Sequence, residues 1–221
     1  MVLCHELPRD PGAAEAIGRT YPPLADRLAQ ECGRRVIAPS LRGAGASEGE
    51  FSASGWLEDL AFLCDHEVGE SVEVCLIGFG LGGALALRLA ATRGNVVAVG
   101  TLGAPADIRS WVGDPEVFLR LCRASGVVGS AGFPADVSAW ADDLIALDPL
   151  GAAAELGRRR VLVVHGAEDT EVPPAAARAL AAAADGAGTA VDLRIVPGAG
   201  HRLRADPRIV ATLIGWVERQ E

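Results

Sequence analysis

The sequence contains no lysine, one methionine and one tyrosine in 221 residues, and all twenty of its basic residues are arginine. Schiff bases, covalently attached pyridoxal phosphate and the Walker phosphate-binding loop all need a lysine, so these chemistries are excluded. No apolar run reaches the roughly 18 uncharged residues that span a membrane, and the N-terminus has no basic, apolar leader. We therefore expect no membrane partner.

Positive charge is also scarce, because the formal net charge is −9. Nucleic-acid binding needs a basic face, and the longest basic run is the three arginines at 158–160. We therefore expect no nucleic-acid partner. The five cysteines are scattered and form no CxxC motif, which is typical of buried thiols in a reducing cytoplasm.

The fold class follows from the order of the patterns along the chain. Short β-branched runs alternate with longer Ala/Leu-rich segments, which predicts an α/β fold with a mostly parallel sheet flanked by helices. Residues 1–221 are long enough for one large domain, and half of them are hydrophobic, which is enough to form its core. Strands are predicted at Val2–Cys4, Arg35–Ala38, Val72–Ile77, Val96–Thr101, Val161–His165 and Val191–Val196. Helices are predicted at Pro23–Cys32, Ser54–Asp65 (capped by Ser54), Ala84–Thr92, Pro174–Ala184 and Pro207–Arg219.

Residues 105–157 interrupt this alternation. They hold four of the ten aromatic side chains and no clear strand pattern. We interpret them as short helices inserted between two strands.

The turn GFGLGG at 78–83 follows a predicted strand and allows two functional interpretations. Gly78, Gly80 and Gly83 match the G-x-G-x-x-G dinucleotide fingerprint. However, about 70 residues of α/β pattern precede it, and the next strand ends without an acidic residue to bind a ribose. The alternative is the nucleophile elbow G-x-S-x-G, with Gly80 at the serine position. A tight strand-to-helix turn favours glycine in either case.

Two later segments favour the elbow. Asp169 lies in HGAEDTEVP after one strand, and His201 lies in GAGHRL after the next. The carboxyl ends of neighbouring parallel strands meet at one sheet edge, where open α/β folds bind ligands. The order elbow, acid, histidine is that of a hydrolase triad, in which the acid orients a histidine that acts as base and then acid.

Five segments together resemble the α/β-hydrolase superfamily: VLCHEL, PSLRGAGASEG, GFGLGGALAL, HGAEDTEVP and PGAGH. Within it, the chain is similar to small serine hydrolases of the esterase and acyl-peptidase kind. The resemblance implies a helical cap at 105–157 and a small-molecule site in an apolar pocket beneath it. It also implies that the backbone amides of Leu81 and Leu7 form the oxyanion hole.

The sequence departs from that pattern in three ways. Gly80 has no side chain and cannot form an acyl-enzyme. The His-Gly of the family's oxyanion loop is His5-Glu6 here, which resembles dienelactone hydrolases and makes Glu6 a candidate auxiliary carboxylate. The chain begins at the family's third strand, so we expect Arg35–Ala38 to be an exposed edge that pairs in a homodimer.

Three hypotheses of function remain open. The protein is a degenerate esterase-like hydrolase that turns over esters weakly or not at all. Alternatively, Asp169 and His201 activate water or move protons in the same pocket, or the protein is a non-catalytic binding protein or scaffold. His165, Glu168, Asp169 and His201 fit no standard zinc spacing, so we expect no metal and no cofactor.

Overall fold

Five parallel strands form one sheet whose spatial order is the chain order, β1-β2-β3-β4-β5. The computed structural model describes residues 1–69 and 71–219. The strands are β1 (Val2–Cys4), β2 (Val74–Phe79), β3 (Val96–Leu102), β4 (Arg160–Gly166) and β5 (Ala190–Val196). The predicted α/β class and parallel sheet are confirmed.

Helices cover both faces of the sheet. They are α1 (Ile17–Thr20), α2 (Pro22–Cys32), α3 (Ala53–Leu63), α4 (Leu81–Thr92), α5 (Ile108–Val112), α6 (Pro115–Ser125), α7 (Val137–Ile145), α8 (Pro149–Ala154), α9 (Ala175–Gly186) and α10 (Pro207–Glu218). Short 3₁₀ turns at Ala13–Ala16 and Leu203–Ala205 and a π turn at Cys64–Val68 complete the described elements. Within the described residues, no helix is long and apolar enough to cross a membrane.

The strands divide their side chains between two hydrophobic cores. In β4, Val161 and Val163 pack with α3, α4 and α9, whereas Leu162 and Val164 pack with α2 and α10 on the opposite face. This alternation follows from the two-residue period of a strand. A strand buried on both faces reads as a continuous apolar run, which is why the sequence predicted these strands well.

Two local predictions were wrong. Arg35–Ala38 makes a single parallel bridge, from Ile37 to Val2, and is not a full strand. Helix α3 is capped by Ser52, whose side chain accepts a hydrogen bond from the Gly55 amide, and not by Ser54. Ser54 instead uses its amide and hydroxyl to bind Asp143, so a contact distant in sequence decides between two serines that both suit a cap.

Residues 105–157 contain α5 to α8, inserted between β3 and β4 as short helices. Their apolar side chains belong to the same core as α3 and α4. Trp140 packs against Phe118 at 5.7 Å between ring centroids, and its indole N–H donates to the carbonyl of Phe51 at 2.9 Å. Trp140 therefore anchors the insertion to the loop before α3.

A close backbone approach joins β1 to the start of α4. A Cβ atom on Gly82 would lie 2.4 Å from the carbonyl oxygens of Cys4 and His5. Only glycine permits this contact, so Gly82 sets the distance between the loop after β1 and the turn after β2.

We expect Gly82→Ala to lower the free energy of unfolding by at least about 1–3 kcal/mol, because the added methyl overlaps rigid backbone. Urea denaturation measures this change. Gly94→Ala is the matched control, since a Cβ atom there meets nothing within 4 Å. Equal stability of the two variants would contradict the close approach.

The edge beside β1 generates a second prediction. The Ile37 amide and carbonyl are both used by β1, through Met1 and Leu3. Within the described residues, the backbone groups of Val36 and Ala38 have no hydrogen-bond partner. Because unpaired edge groups template pairing with another chain, we expect concentration-dependent dimers in light scattering that Val36→Pro weakens. A strictly monomeric protein at high concentration would contradict this.

Candidate functional site

The turn after β2 has the geometry of a sharp strand-to-helix elbow. Gly80 has φ +51° and ψ −124°, a conformation that residues with a side chain rarely adopt. Its amide donates to the carbonyl of Leu102 at 2.8 Å, and its carbonyl accepts from the amide of Gly83 at 3.0 Å. The turn is therefore held by its own backbone from both sides.

The elbow faces the predicted histidine. A Cβ atom built on Gly80 would lie 3.8 Å from Nε2 of His201, which is close enough for a side-chain oxygen at position 80 to reach the ring. The loops after β2 and β5 thus bring together the two positions that the sequence order predicts as partners.

His201 forms a direct hydrogen bond with Asp169. Nδ1 of His201 lies 2.8 Å from Oδ2 of Asp169, and the Asp169 side chain is fully buried. The carboxylate accepts a hydrogen bond from Nδ1–H, which leaves Nε2 directed toward the elbow as the basic nitrogen. An acid that fixes the tautomer in this way orients a general base.

The loop after β4 holds Asp169 in its ionised form. Burial by itself raises the pKa of Asp169, but hydrogen bonds from His165, from His201 and from the Val172 amide outweigh it and hold the pKa well below its usual range. Oδ1 accepts hydrogen bonds from the amides of Glu171 and Val172, each at 2.9 Å. Asp169 therefore remains a carboxylate across the physiological range.

The pKa of His201 is raised despite its burial. Burial lowers the pKa, whereas the hydrogen bond and charge of Asp169 raise it more. The charges of Glu171 and Glu6 add to this effect. The ring is consequently a stronger base than a free histidine and keeps its second proton up to a higher pH.

His165 is a second histidine at the acid, and the sequence analysis named it only in a set of residues that fits no standard zinc spacing. Its Nε2 lies 2.9 Å from the carbonyl of Val172 and 3.2 Å from Oδ2 of Asp169. The carbonyl requires a proton on Nε2, so His165 donates toward Asp169 as well. Nδ1 is buried without a hydrogen-bond partner in the described structure. Its position four residues before Asp169 is the only feature of the sequence that pointed to this contact.

Glu6 lies over the elbow. Its Cβ is 3.2 Å from where a Cβ on Gly80 would be, which is tighter than an ordinary van der Waals contact. The carboxylate accepts a hydrogen bond from Nε of Arg204 at 3.1 Å, and the Glu6 amide donates to the hydroxyl of Tyr21 at 3.0 Å. Arg204 and Tyr21 were missed by sequence reasoning, although Arg204 follows His201 by three positions.

Each candidate oxyanion donor directly follows one residue of this contact in the chain. Leu81 is the first residue of α4, so its amide is one of the four at a helix start that have no acceptor inside the helix. Leu7 follows Glu6 on the loop after β1, and both leucine side chains are buried. The assignment of their amides to an oxyanion hole stays a prediction.

The cleft that contains His201 differs from the predicted pocket. It has a volume of about 210 Å³ and is lined by both charged and apolar side chains. These come from 6–20, Glu171 and 201–204, with no residue of 105–157. The expected apolar pocket beneath the insertion is therefore not the cleft beside His201. The insertion packs Phe118 and Trp140 into the core, whereas the cleft is lined in part by α1.

Other histidine and serine side chains stabilise the fold and take no part in this chemistry. His5 is buried with both ring nitrogens bonded, to the Glu6 carbonyl and the Leu41 amide, and burial lowers its pKa to about 4. Ser47 donates to the carbonyl of Ser40 in a turn. Among the described residues, no three His, Cys, Asp or Glu side chains are grouped to hold a metal.

Comparisons with known proteins agree with the geometry. The family model described as "Alpha/beta hydrolase family" matches residues 1–213. A search of curated proteins finds no significant match.

Solved structures of the same fold cover nearly the whole chain. The meta-cleavage product hydrolase from Pseudomonas fluorescens IP01 aligns with TM-score 0.69 and 20% identity, over 100% of this chain and 90% of that one. An esterase from Thermogutta terrifontis gives 0.67 and 20%, over 99% and 89%. A monoacylglycerol lipase from Paleococcus ferrophilus gives 0.66 and 19%, over 100% and 94%. The family model that matches residues 1–213 and the parallel sheet together show that this chain belongs to the alpha/beta hydrolase family.

Proposed function

We propose that this protein is an esterase-like hydrolase that has lost the acyl-enzyme step. The observation that carries the proposal is Gly80, which occupies the elbow beside an intact Asp169–His201 pair and offers no oxygen or sulfur to attack an ester. In serine hydrolases, removing the nucleophile costs about 10⁶ in kcat. Hydrolysis of ordinary esters through position 80 is accordingly absent.

The substitution at Gly80 is linked to Glu6. The two positions are in contact, and a side chain at 80 would meet the Cβ of Glu6 at 3.2 Å. The resemblance implies glycine at position 6 and serine at position 80. This chain instead has a side chain at position 6, Glu6, and none at position 80. We interpret the pair as one exchange, in which Glu6 fills space that the missing side chain left.

A second candidate function is proton transfer by His201 on water or on a bound ligand. It is favoured by the buried Asp169–His201 hydrogen bond, because a protein that only binds a ligand has no need to bury a carboxylate in this way. Glu6 is the auxiliary carboxylate of this chemistry, since its charge helps to raise the pKa of His201. In this case water is deprotonated by Nε2 while Asp169 stabilises the imidazolium. The third possibility, a non-catalytic binding protein or scaffold, gains no comparable support.

We also place the protein in the cytoplasm. All five cysteines lie in the described part of the chain and are free thiols. Burial raises the pKa of Cys75 to about 12, which keeps that thiol protonated and unreactive.

Restoring a serine tests the main proposal. We expect Gly80→Ser to label with a fluorophosphonate and to hydrolyse short p-nitrophenyl esters slowly, because strain at the elbow costs about 1–3 kcal/mol and Glu6 crowds the new Cβ. The double variant Gly80→Ser/Glu6→Gly removes the crowding, so it labels faster. The rate rises with pH through the pKa of His201, because only the neutral ring accepts the serine proton.

The controls separate the elbow from other sources of activity. Adding His201→Ala to the double variant lowers the gained rate by about 10²–10⁴-fold, the usual contribution of a general base. If both serine variants fold normally and remain unlabelled, the lost-nucleophile proposal fails. If the parent hydrolyses these esters and His201→Ala stops the hydrolysis, the lost-nucleophile proposal gives way to water activation by His201.

The charges around His201 give a separate prediction. We expect Glu171→Gln and Glu6→Gln each to lower the pKa of His201, because each removes a negative charge that favours the imidazolium. NMR titration of the His201 ring protons measures both changes. Glu116→Gln, an exposed acidic residue on α6, is the matched control and leaves this pKa unchanged. An unchanged titration in Glu171→Gln and Glu6→Gln would contradict the electrostatic coupling.

A further inference from the structure

The cleft beside His201 has a charge pattern that the triad resemblance does not explain. Three arginines and three acidic residues line it together with the histidine. Two ion pairs account for four of the charges: Arg204 with Glu6 at 3.1 Å, and Arg202 with Asp10 at 2.5 Å. Arg9 and Glu171 take part in neither pair.

Arg9 is held by aromatic packing and not by a carboxylate. Its guanidinium carbon lies 5.2 Å from the centroid of the Trp111 ring and 6.0 Å from that of Phe118. Within residues 1–69 and 71–219, Arg9 has no acidic partner. A guanidinium stacked on a ring keeps its in-plane N–H donors, and these donors fit the two oxygens of a carboxylate.

A second lining residue also lacks a partner. The hydroxyl oxygen of Thr20 is buried and makes no hydrogen bond within the described structure. Because this oxygen is shielded from the cleft, it offers no contact to a ligand there, and the anion site depends on Arg9.

The other charges restrict the ligand to a small monoanion. Glu6 and Asp10 are neutralised by their arginines, but Glu171 adds a further negative charge to the same cleft, so the cleft repels a phosphate dianion more strongly than a monoanion. The volume of about 210 Å³ is below the usual range for drug-sized ligands. Together with the hydrolase fold, these limits favour a short ester with one free carboxylate.

We propose that this cleft binds a short carboxylate-bearing ester, with the carboxylate on Arg9 and the ester group toward His201. The inference rests on the proposed function for the identity of the ester group but not for the carboxylate. Trp111 and Phe118 position Arg9, and the neighbouring ion pairs prevent the other arginines from competing for the anion.

Binding of monomethyl succinate to the parent protein, followed by NMR titration, tests the proposal. Dimethyl succinate is the neutral counterpart, and we expect it to bind at least about tenfold more weakly, the usual effect of losing a charged hydrogen bond. Arg9→Gln weakens the binding of monomethyl succinate by a similar factor, and Arg9→Lys weakens it by a smaller factor. Arg178→Gln, an exposed arginine on α9 outside the cleft, is the matched control and leaves binding unchanged.

Several results would overturn the inference: equal binding of the two esters, no binding of either, an Arg9→Gln variant that binds like the parent, or inorganic phosphate that binds more tightly than monomethyl succinate. These outcomes are independent of fluorophosphonate labelling in the serine variants. The carboxylate site and the lost nucleophile therefore fail separately.

Discussion

Close packing of backbone against backbone at Gly82 controls the distances on which the site depends. Because Gly82 has no side chain, the start of α4 lies directly against the carbonyl oxygens of Cys4 and His5. The loop after β1 is thereby brought onto the elbow after β2, so that Glu6 lies over Gly80. The same sheet edge carries the loops after β4 and β5, which join Asp169 to His201.

The electrostatics of the site follow from this arrangement. Asp169 is buried, but it accepts hydrogen bonds from two backbone amides and contacts two histidines. Its negative charge is therefore stabilised without direct contact with water. That charge makes His201 more basic, and the ring faces a position with no nucleophile. The chain thus retains the acid–base part of a hydrolase site and lacks the covalent part, while a cleft with charged side chains remains beside it.

Local pattern accounted for the elements and for the site residues on the strand ends. Strands buried on both faces leave continuous apolar runs, and glycine-rich turns mark places where a side chain cannot fit. Elements that depend on distant partners were read less well. The segment at 35–38 makes one bridge to β1, and the choice of Ser52 over Ser54 as a cap depends on Asp143, which lies about 90 residues later.

The sequence by itself determined the α/β class, the glycine at the elbow and the order of acid and histidine, because each is encoded by neighbours in the chain. Only the tertiary structure decided that Glu6 covers Gly80, that His165 also contacts Asp169, and that Arg204 pairs with Glu6. It also moved the cleft from the predicted insertion to the loop after β1. These features depend on side chains up to 198 positions apart, and no local pattern specifies how such side chains meet.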